Sequence, residues 1–508
     1  MACRQGFEEE TPREVGGGPL SASIDWNSVL NKLLAKYRAI PVPAKAAMWF
    51  AVCSVVTNCI SMLTMPLFTR LMSTDQYGVY SIYNTWLQMF TVVATLRLNY
   101  AVFNKGMSKY AEDRDTYAAS MQTLTTAIVI VCIAAYLPLA DFVNGFTGLS
   151  TLVTLLIFVE IIFASAASYW MARKRYEYSY RAIILTTIAI SLGNAGLGLL
   201  AVLLNEQKDL ARIVSCVLVQ CIVGGILYIV NLKHARKAFC WDYVKFALLF
   251  NLPLLPHYAA MYVLDAFDRI MIQTMVGFSA AALYSVACNL GNVLKIVTNS
   301  INNSIVPWMY EKLGQREYEK LGKTTTAVIV IPIIPVLMLV AVGPEIIWLF
   351  GGDEYASAQY VIPPIAEALV FSFTYTVFTN IEFFFDKNKF VMFASIVASI
   401  LNVALNFLLI GPFGYVAAAY TTLLCYALMA AAHYIYVRRL FAQKKVKCPF
   451  NGMILVGMTL LLVGLGFVLT LLYPYTLVRL IFFVVCLVAF FVFRNKIIAL
   501  LKSFKQKR

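Results

Sequence analysis

Fourteen apolar runs of membrane-spanning length divide this chain, and they constrain its fold more than any other feature. They cover residues 46–69, 79–103, 118–140, 147–171, 181–204, 210–232, 246–267, 280–309, 324–350, 358–385, 389–410, 414–437, 450–472 and 475–493. At 1.5 Å per residue, about 20 residues cross a hydrocarbon core of about 30 Å as a helix. A helix also satisfies its own backbone hydrogen bonds, for which lipid offers no partners. With 61% hydrophobic residues, 13% charged residues and a mean hydropathy of +0.75, the chain falls outside the composition of soluble domains. The expected fold class is an all-α polytopic membrane protein.

The net charge of +15 could signal nucleic acid, so its placement matters. Numbering the connections alternately puts thirty-two lysines and arginines on one side, from Lys32 to Arg508, against three on the other, Arg70, Lys208 and Arg212. This asymmetry puts both termini in the cytoplasm and supports an even number of spans. The basic excess is therefore topology, and no nucleic-acid partner is implied. Residues 1–45 are polar, with a flexible piece at 14–20 and an interfacial amphipathic helix expected at 25–40. No apolar core near the start marks a cleaved signal peptide. Most of the eleven cysteines fall inside spans with no paired spacing, which fits small buried residues and not a disulfide framework or a metal site.

A repeat organises the spans. The phrase "MPLFTRLMSTDQYGVYSI" at 65–82 is echoed by "DRIMIQTMVGFSAAALYSV" at 268–286, and aligning their Tyr-Ser pairs gives an offset of 204. The polar stripe Ser81, Thr85, Gln88, Thr91, Thr95 and Asn99, at helical spacing, maps by that offset onto Ser285, Asn289, Asn292, Lys295, Asn299 and Asn303. Likewise Ser54, Asn58, Ser61 and Thr64 map onto Tyr258, Tyr262, Asp265 and Asp268. Two six-helix lobes follow, at 46–232 and 246–437, as parallel repeats about an axis along the membrane normal. A cytoplasmic linker at 233–245 joins them. A loop at 438–449, two further spans within 450–493 and a basic tail at 494–508 complete the chain.

Polar stripes can glue helices together or line an aqueous cavity. The asparagines with Lys295 on the eighth span favour a cavity, because a lone lysine in lipid costs about 2.5 to 3.5 kcal/mol. Lys295, Arg269, Asp265, Asp268, Asn289, Asn292, Asn299, Asn303, Tyr258 and Tyr262 of the second lobe, with Gln88, Asn84 and Asn58 of the first, form the candidate substrate set. Asp265 could pair with Arg269 four residues on, and Asp268 with Lys295. Arg97 and Arg479 read as snorkelling residues near span ends. Glu160, Glu367, Glu382 and Asp265 are intramembrane carboxylates and so candidates for coupling to a proton or a sodium ion. His257 and His433 fit hydrogen-bonded scaffolding. Arg70 and Asp75, in the outer turn between the first two spans, are gate or anchor candidates. Prolines 66, 253, 256, 332, 335, 363 and 364 mark kinks or hinges.

No outer connection is long enough for an extramembrane catalytic domain, and there is no Walker A sequence. No catalytic residue, cofactor or enzymatic activity is expected, which weighs against an integral-membrane polysaccharide polymerase.

The phrase "PLFTRLMSTDQYGVYSIYNTW" resembles a signature of Wzx-type polysaccharide flippases, in the superfamily that also holds the multidrug and toxin extruders. "PLLPHYAAMYVLDAFDRIMI" at 253–272 and "GPFGYVAAAYTTLLCYALMAAAHYIY" at 411–436 resemble that family's seventh and twelfth spans. The resemblance implies a MATE-like fold in the bacterial cytoplasmic membrane. The implied activity is the flipping of undecaprenyl-diphosphate-linked oligosaccharides by alternating access, driven by a proton or sodium gradient. It also implies membrane lipids, a polysaccharide polymerase and other assembly proteins as partners, with Lys295 and Arg269 as the cations suited to a diphosphate. An ion-coupled multidrug extruder of the same superfamily is the alternative.

Overall fold

The computed structural model describes residues 41–99 and 101–503. The expected interfacial helix at 25–40 and the end of the basic tail lie outside the described residues. Among those described, nineteen α-helices and three 3-10 turns follow one another. The first two meet at the quoted phrase: α1 spans Val42–Leu71 and α2 spans Thr74–Thr95. Ser73 starts α2 with a capping box, its hydroxyl accepting from the Gln76 N–H (3.2 Å) and the Gln76 side chain accepting from the Ser73 N–H (3.1 Å).

Among the described residues, thirteen helical segments are long and apolar enough to cross a membrane. The fourteenth expected span is α2. It has 22 residues, enough to cross, but its polar stripe lowers its hydropathy. That stripe avoids lipid because α2 packs between α6 (Thr151–Tyr176) and α11 (Phe278–Gly314).

The duplication is visible in the helix boundaries. Helix α1 ends at Leu71 and α10 (Leu255–Met275) at Met275, 204 residues apart; α2 and α11 begin 204 apart as well. A short elbow helix, α5 (Ala140–Thr147), has its counterpart in α14 (Gly343–Gly351). Beyond the elbows the spacing becomes 208. Helices α7 (Tyr180–Leu204) and α16 (Asn388–Phe413) differ by that amount at their starts, as do α8 (Lys208–His234) and α17 (Val416–Gln443).

The lobes touch along their axis of symmetry. The Ser279 hydroxyl donates to Asp75 (2.8 Å) and the Ser81 hydroxyl to Ser285 (2.6 Å), each pair 204 residues apart. Contact of a residue with its own repeat partner is what a two-fold relation produces. The backbones are close here: a Cβ on Gly78 would lie 2.2 Å from the Phe278 carbonyl oxygen. Ala280, Ala281 and Ala282 keep the seam narrow. This is the sealed end of the molecule.

Several spans are less continuous than their hydropathy suggests. The second ends at Thr95, where Leu96 and Arg97 take positive φ (46° and 52°), so Arg97 sits at a break and not on a continuous helix. The Asn251 side-chain amide takes the Leu96 carbonyl at this break. The short α3 (Ala101–Lys109) follows, then α4 (Arg114–Tyr136). The seventh span divides into α9 (Trp241–Asn251) and α10 around the turn Leu252–Leu254, because Pro253 carries no N–H. Around Pro332 the ninth breaks into α12 (Tyr318–Val330) and α13 (Ile333–Ala341), and it ends before the elbow. Pro363 and Pro364 do not kink α15 (Ile362–Phe384); they occupy its first turn, where proline costs no hydrogen bond.

Helices α15 and α17 form the buried centre of the second lobe. The last pair, α18 (Gly452–Leu471) and α19 (Thr476–Ser503), packs on α13 and α15 and turns residues such as Leu460, Leu461 and Val485 outward. Helix α19 carries on into the stretch expected to be a tail.

Candidate functional site

A cavity of about 470 Å³ opens between α1 and α2 of the first lobe and α10 and α11 of the second. Asn58, Asn84, Gln88, Asn289, Asn292 and Arg269 line it together, as does Ser61. The Asp75–Ser279 and Ser81–Ser285 contacts close one end. Toward the other end Asn58, Gln88, Asn289 and Asn292 are exposed, so the two polar stripes face each other across open space. Thr85, Thr91 and Thr95 do not share in this; their hydroxyls bond to carbonyls one turn back, and Asn99 bonds to Ser168 (2.7 Å). Tyr262 belongs to the seam, donating to the Thr85 carbonyl (2.5 Å). Asn299 and Asn303 lie exposed farther along α11, and the half-buried Tyr258 is outside the cavity lining.

Arg212 lies elsewhere than its sequence position suggests. Counted by sequence as an outer-loop cation, it is only 6% exposed, in the second turn of α8, and reaches the cavity wall. Its Nη1 donates to the Asn194 carbonyl (2.6 Å) and its Nη2 to the Tyr80 hydroxyl (3.3 Å). The guanidinium lies 4.1 Å from the Phe68 ring centre. Gly198 of α7 makes the slot, since a Cβ there would sit 2.0 Å from Nη1. The glycines of "GNAGLG" at 193–198 were the available signal. Among the described residues no carboxylate ion-pairs with Arg212 or Arg269, and both keep a buried Nε–H without an acceptor.

Neither ion pair expected for Asp265 and Asp268 forms. Lys295 bonds Asp265 (2.8 Å), not Asp268, and Tyr426 donates to the same carboxylate (2.6 Å), which leaves Arg269 free of Asp265. Asp268 is 2% exposed. It accepts from the Tyr284 hydroxyl (2.7 Å), the Thr422 hydroxyl (2.6 Å) and the Asn406 amide (2.6 Å). Asn402 and Thr421 complete this oxygen-rich cluster. A chamber of about 60 Å³ holding Asp265, Asp268 and Lys295 shares Arg269 and Asn292 with the main cavity.

The two lobes use equivalent positions with opposite charge. Tyr80 and Tyr284 are 204 apart; Asn194 and Asn402, and Gly198 and Asn406, are 208 apart. In the second lobe these positions surround Asp268. In the first, the guanidinium of Arg212 fills the space that Gly198 leaves.

The other membrane carboxylates lie away from the cavity. Tyr83 donates to Glu160, and Glu367 packs against Gly466 of α18. Glu382 and His433 are fully buried together, with Nδ1 2.9 and 3.0 Å from the two oxygens. Arg70 and Asp75 are at the sealed end, with Arg70 bonded to the Leu349 carbonyl (3.3 Å). Arg479 does not snorkel: it is 1% exposed and bidentate to Glu345, both bonds 2.9 Å.

Known proteins match this architecture. The family model described as polysaccharide biosynthesis protein matches residues 44–312, and the MatE model matches residues 253–408. The Lsg locus protein 1 of Haemophilus influenzae is 23% identical over 71% of this chain and 89% of its own length. An uncharacterized membrane protein of the same organism is 24% identical over 68% and 84%. In fold, the chain is similar to the lipid II flippase MurJ in an inward closed conformation (TM-score 0.65, 11% identity, 89% of this chain and all of that one). It is also similar to an inward-facing multidrug resistance MATE transporter (TM-score 0.61, 14% identity, 78% and 99%), and the outward-facing form scores 0.50. With one family model covering more than half of its length, the chain belongs to the polysaccharide biosynthesis protein family, and its fold is MATE-like.

Proposed function

We propose that this protein flips undecaprenyl-diphosphate-linked oligosaccharide units from the cytoplasmic to the outer leaflet of a bacterial inner membrane, without altering them chemically. The carrying observation is the pair of guanidiniums without a carboxylate ion-pair partner among the described residues, Arg212 and Arg269, on a cavity whose lining also carries five side-chain amides, Asn58, Asn84, Gln88, Asn289 and Asn292, among apolar residues. A diphosphate is a charge partner for guanidiniums on a cavity wall, and amides suit sugar hydroxyls. Lys295, held by Asp265, is a further cation on the way in. The loop charges support an orientation with the sealed end outside and both termini in the cytoplasm. The described conformation is then inward-facing, and Arg70 and Asp75 belong to the outer gate.

Alternating access needs an energy source, and the Asp268 cluster suits it. A buried carboxylate among amide and hydroxyl oxygens can take up a proton or a sodium ion. Glu160, Glu367 and Glu382 line neither the cavity nor the chamber beside it. A cationic-drug extruder, the runner-up, would carry its guanidiniums in a cavity of the wrong sign.

A binding measurement tests the assignment. Purified protein in detergent is expected to gain thermal stability with a polyprenyl-diphosphate oligosaccharide and to gain at least tenfold less apparent affinity for the same saccharide on an uncharged polyprenyl carrier. Equal affinity for both would remove the diphosphate from the site.

A further inference from the structure

The two outer elbows are braced differently. In the first lobe α5 is held from within: Tyr136 donates to Asn144 (2.8 Å), which donates to Thr151 (2.8 Å). In the second lobe the brace comes from outside the duplication. Arg479 of α19 reaches the elbow α14 through its bidentate pair with Glu345, and its Nη1 also donates to the Ala341 carbonyl at the end of α13 (2.6 Å). Tyr473, in the α18–α19 turn, adds to the same brace: its ring centre is 5.5 Å from the Arg479 guanidinium, its hydroxyl is 2.9 Å from where a Gly343 Cβ would be, and its ring lies 5.8 Å from that of Tyr360.

The far end of α14 seals the lobes. The Thr69 hydroxyl of α1 donates to the Phe350 carbonyl (2.5 Å), Arg70 donates to the Leu349 carbonyl (3.3 Å), and the Arg70 guanidinium stands 5.9 Å from the Trp348 ring centre. One short helix therefore joins α19 to the inter-lobe closure. We propose that Arg479 and Glu345 are positioning residues for the outer gate: the last helix pair acts as a strut that holds α14 against α1 and keeps the sealed end shut.

Two physical points support a strut. A buried arginine bound in a planar two-bond geometry fixes its partner's orientation as well as its distance. The Glu345 carboxyl, outside the membrane spans, titrates below the usual carboxylate range: burial would raise it, but hydrogen bonds from Arg479, a backbone hydrogen bond and the Arg479 charge outweigh that. A depressed value means the pair is fully formed above the ordinary carboxylate range and is lost only as pH falls through the lower folded value. The strut is therefore closed throughout the neutral range.

The test reads gate position and not cargo, so its failure would leave the proposed cargo untouched. A cysteine at Asn289 in a background without other reactive thiols is labelled from the outer face with a membrane-impermeant reagent in sealed vesicles. Glu345→Gln and Arg479→Gln are each expected to raise the labelling rate about tenfold at unchanged membrane level. Thr69→Ala should raise it too, and the Thr69→Ala/Glu345→Gln double variant should show no further gain, because both act on one contact chain. If Arg479→Gln does not accumulate, Glu345→Gln, which leaves the Ala341 bond intact, decides alone. Unchanged outer labelling in Glu345→Gln, or full additivity with Thr69→Ala, would overturn the proposal.

Discussion

Arg212→Ala is expected to cut the initial flipping rate of a diphosphate-linked oligosaccharide about tenfold to a hundredfold, and Arg269→Ala by a similar factor. Each deletes hydrogen bonds to a charged group, worth about 1.5 to 3 kcal/mol. Rates in vesicles reconstituted with equal amounts of protein check this. Lysine should rescue poorly at position 212, since a compact ammonium cannot hold the Asn194 carbonyl and the Tyr80 hydroxyl while facing the cavity. Gly198→Ala gives an independent route to the same result, because it forces the guanidinium aside without deleting charge. Wild-type rates in Arg212→Ala and Arg269→Ala together would mean that the cavity cations do not engage cargo.

The second large effect is expected at Asp268. Asp268→Asn removes the carboxylate but keeps a hydrogen-bonding side chain for Tyr284, Asn406 and Thr422. Cargo binding should persist while stimulation by an imposed proton or sodium gradient falls at least tenfold, to the level seen without a gradient. Glu160→Gln, in the first lobe, should leave the stimulation intact. The reason lies in the repeat: where the second lobe has the buried carboxylate of Asp268, the first has the tethered guanidinium of Arg212. Gradient stimulation that survives Asp268→Asn and is lost in Glu160→Gln would place coupling in the first lobe.

Much of this arrangement was legible in the sequence because it rests on periodicity. Apolar runs gave the spans, and one offset paired Ser81 with Ser285, which the structure brings to 2.6 Å. The same offset related Gln88 to Asn292, and both line the cavity, whereas Thr85, the repeat partner of Asn289, turns its hydroxyl back to its own helix. Backbone breaks were harder to see. Leu96 and Arg97 bear no turn signature, and the elbows α5 and α14 are as apolar as the spans they leave. Long-range pairing was hardest. Arg212 sits near a span end, where a snorkelling or loop cation looks the same in sequence as one turned inward. Only the slot left by Gly198, on a different helix, tells them apart. Lys295 chose Asp265 over Asp268 because Asp268 is already surrounded by donors from α11, α16 and α17. No spacing within one helix records that. Arg479 found Glu345 across 134 residues for the same kind of reason.

The most direct measurement is flipping itself. Purified wild-type protein is placed in sealed vesicles with a polyprenyl-diphosphate oligosaccharide in one leaflet, and the sugar reaching the other leaflet is followed by its accessibility to a membrane-impermeant oxidant. Transfer faster than in protein-free vesicles, increased by an inward cation gradient and absent for the same saccharide on an uncharged carrier, is the predicted result. Transfer no faster than in protein-free vesicles, or equal transfer of the uncharged carrier, would contradict the account.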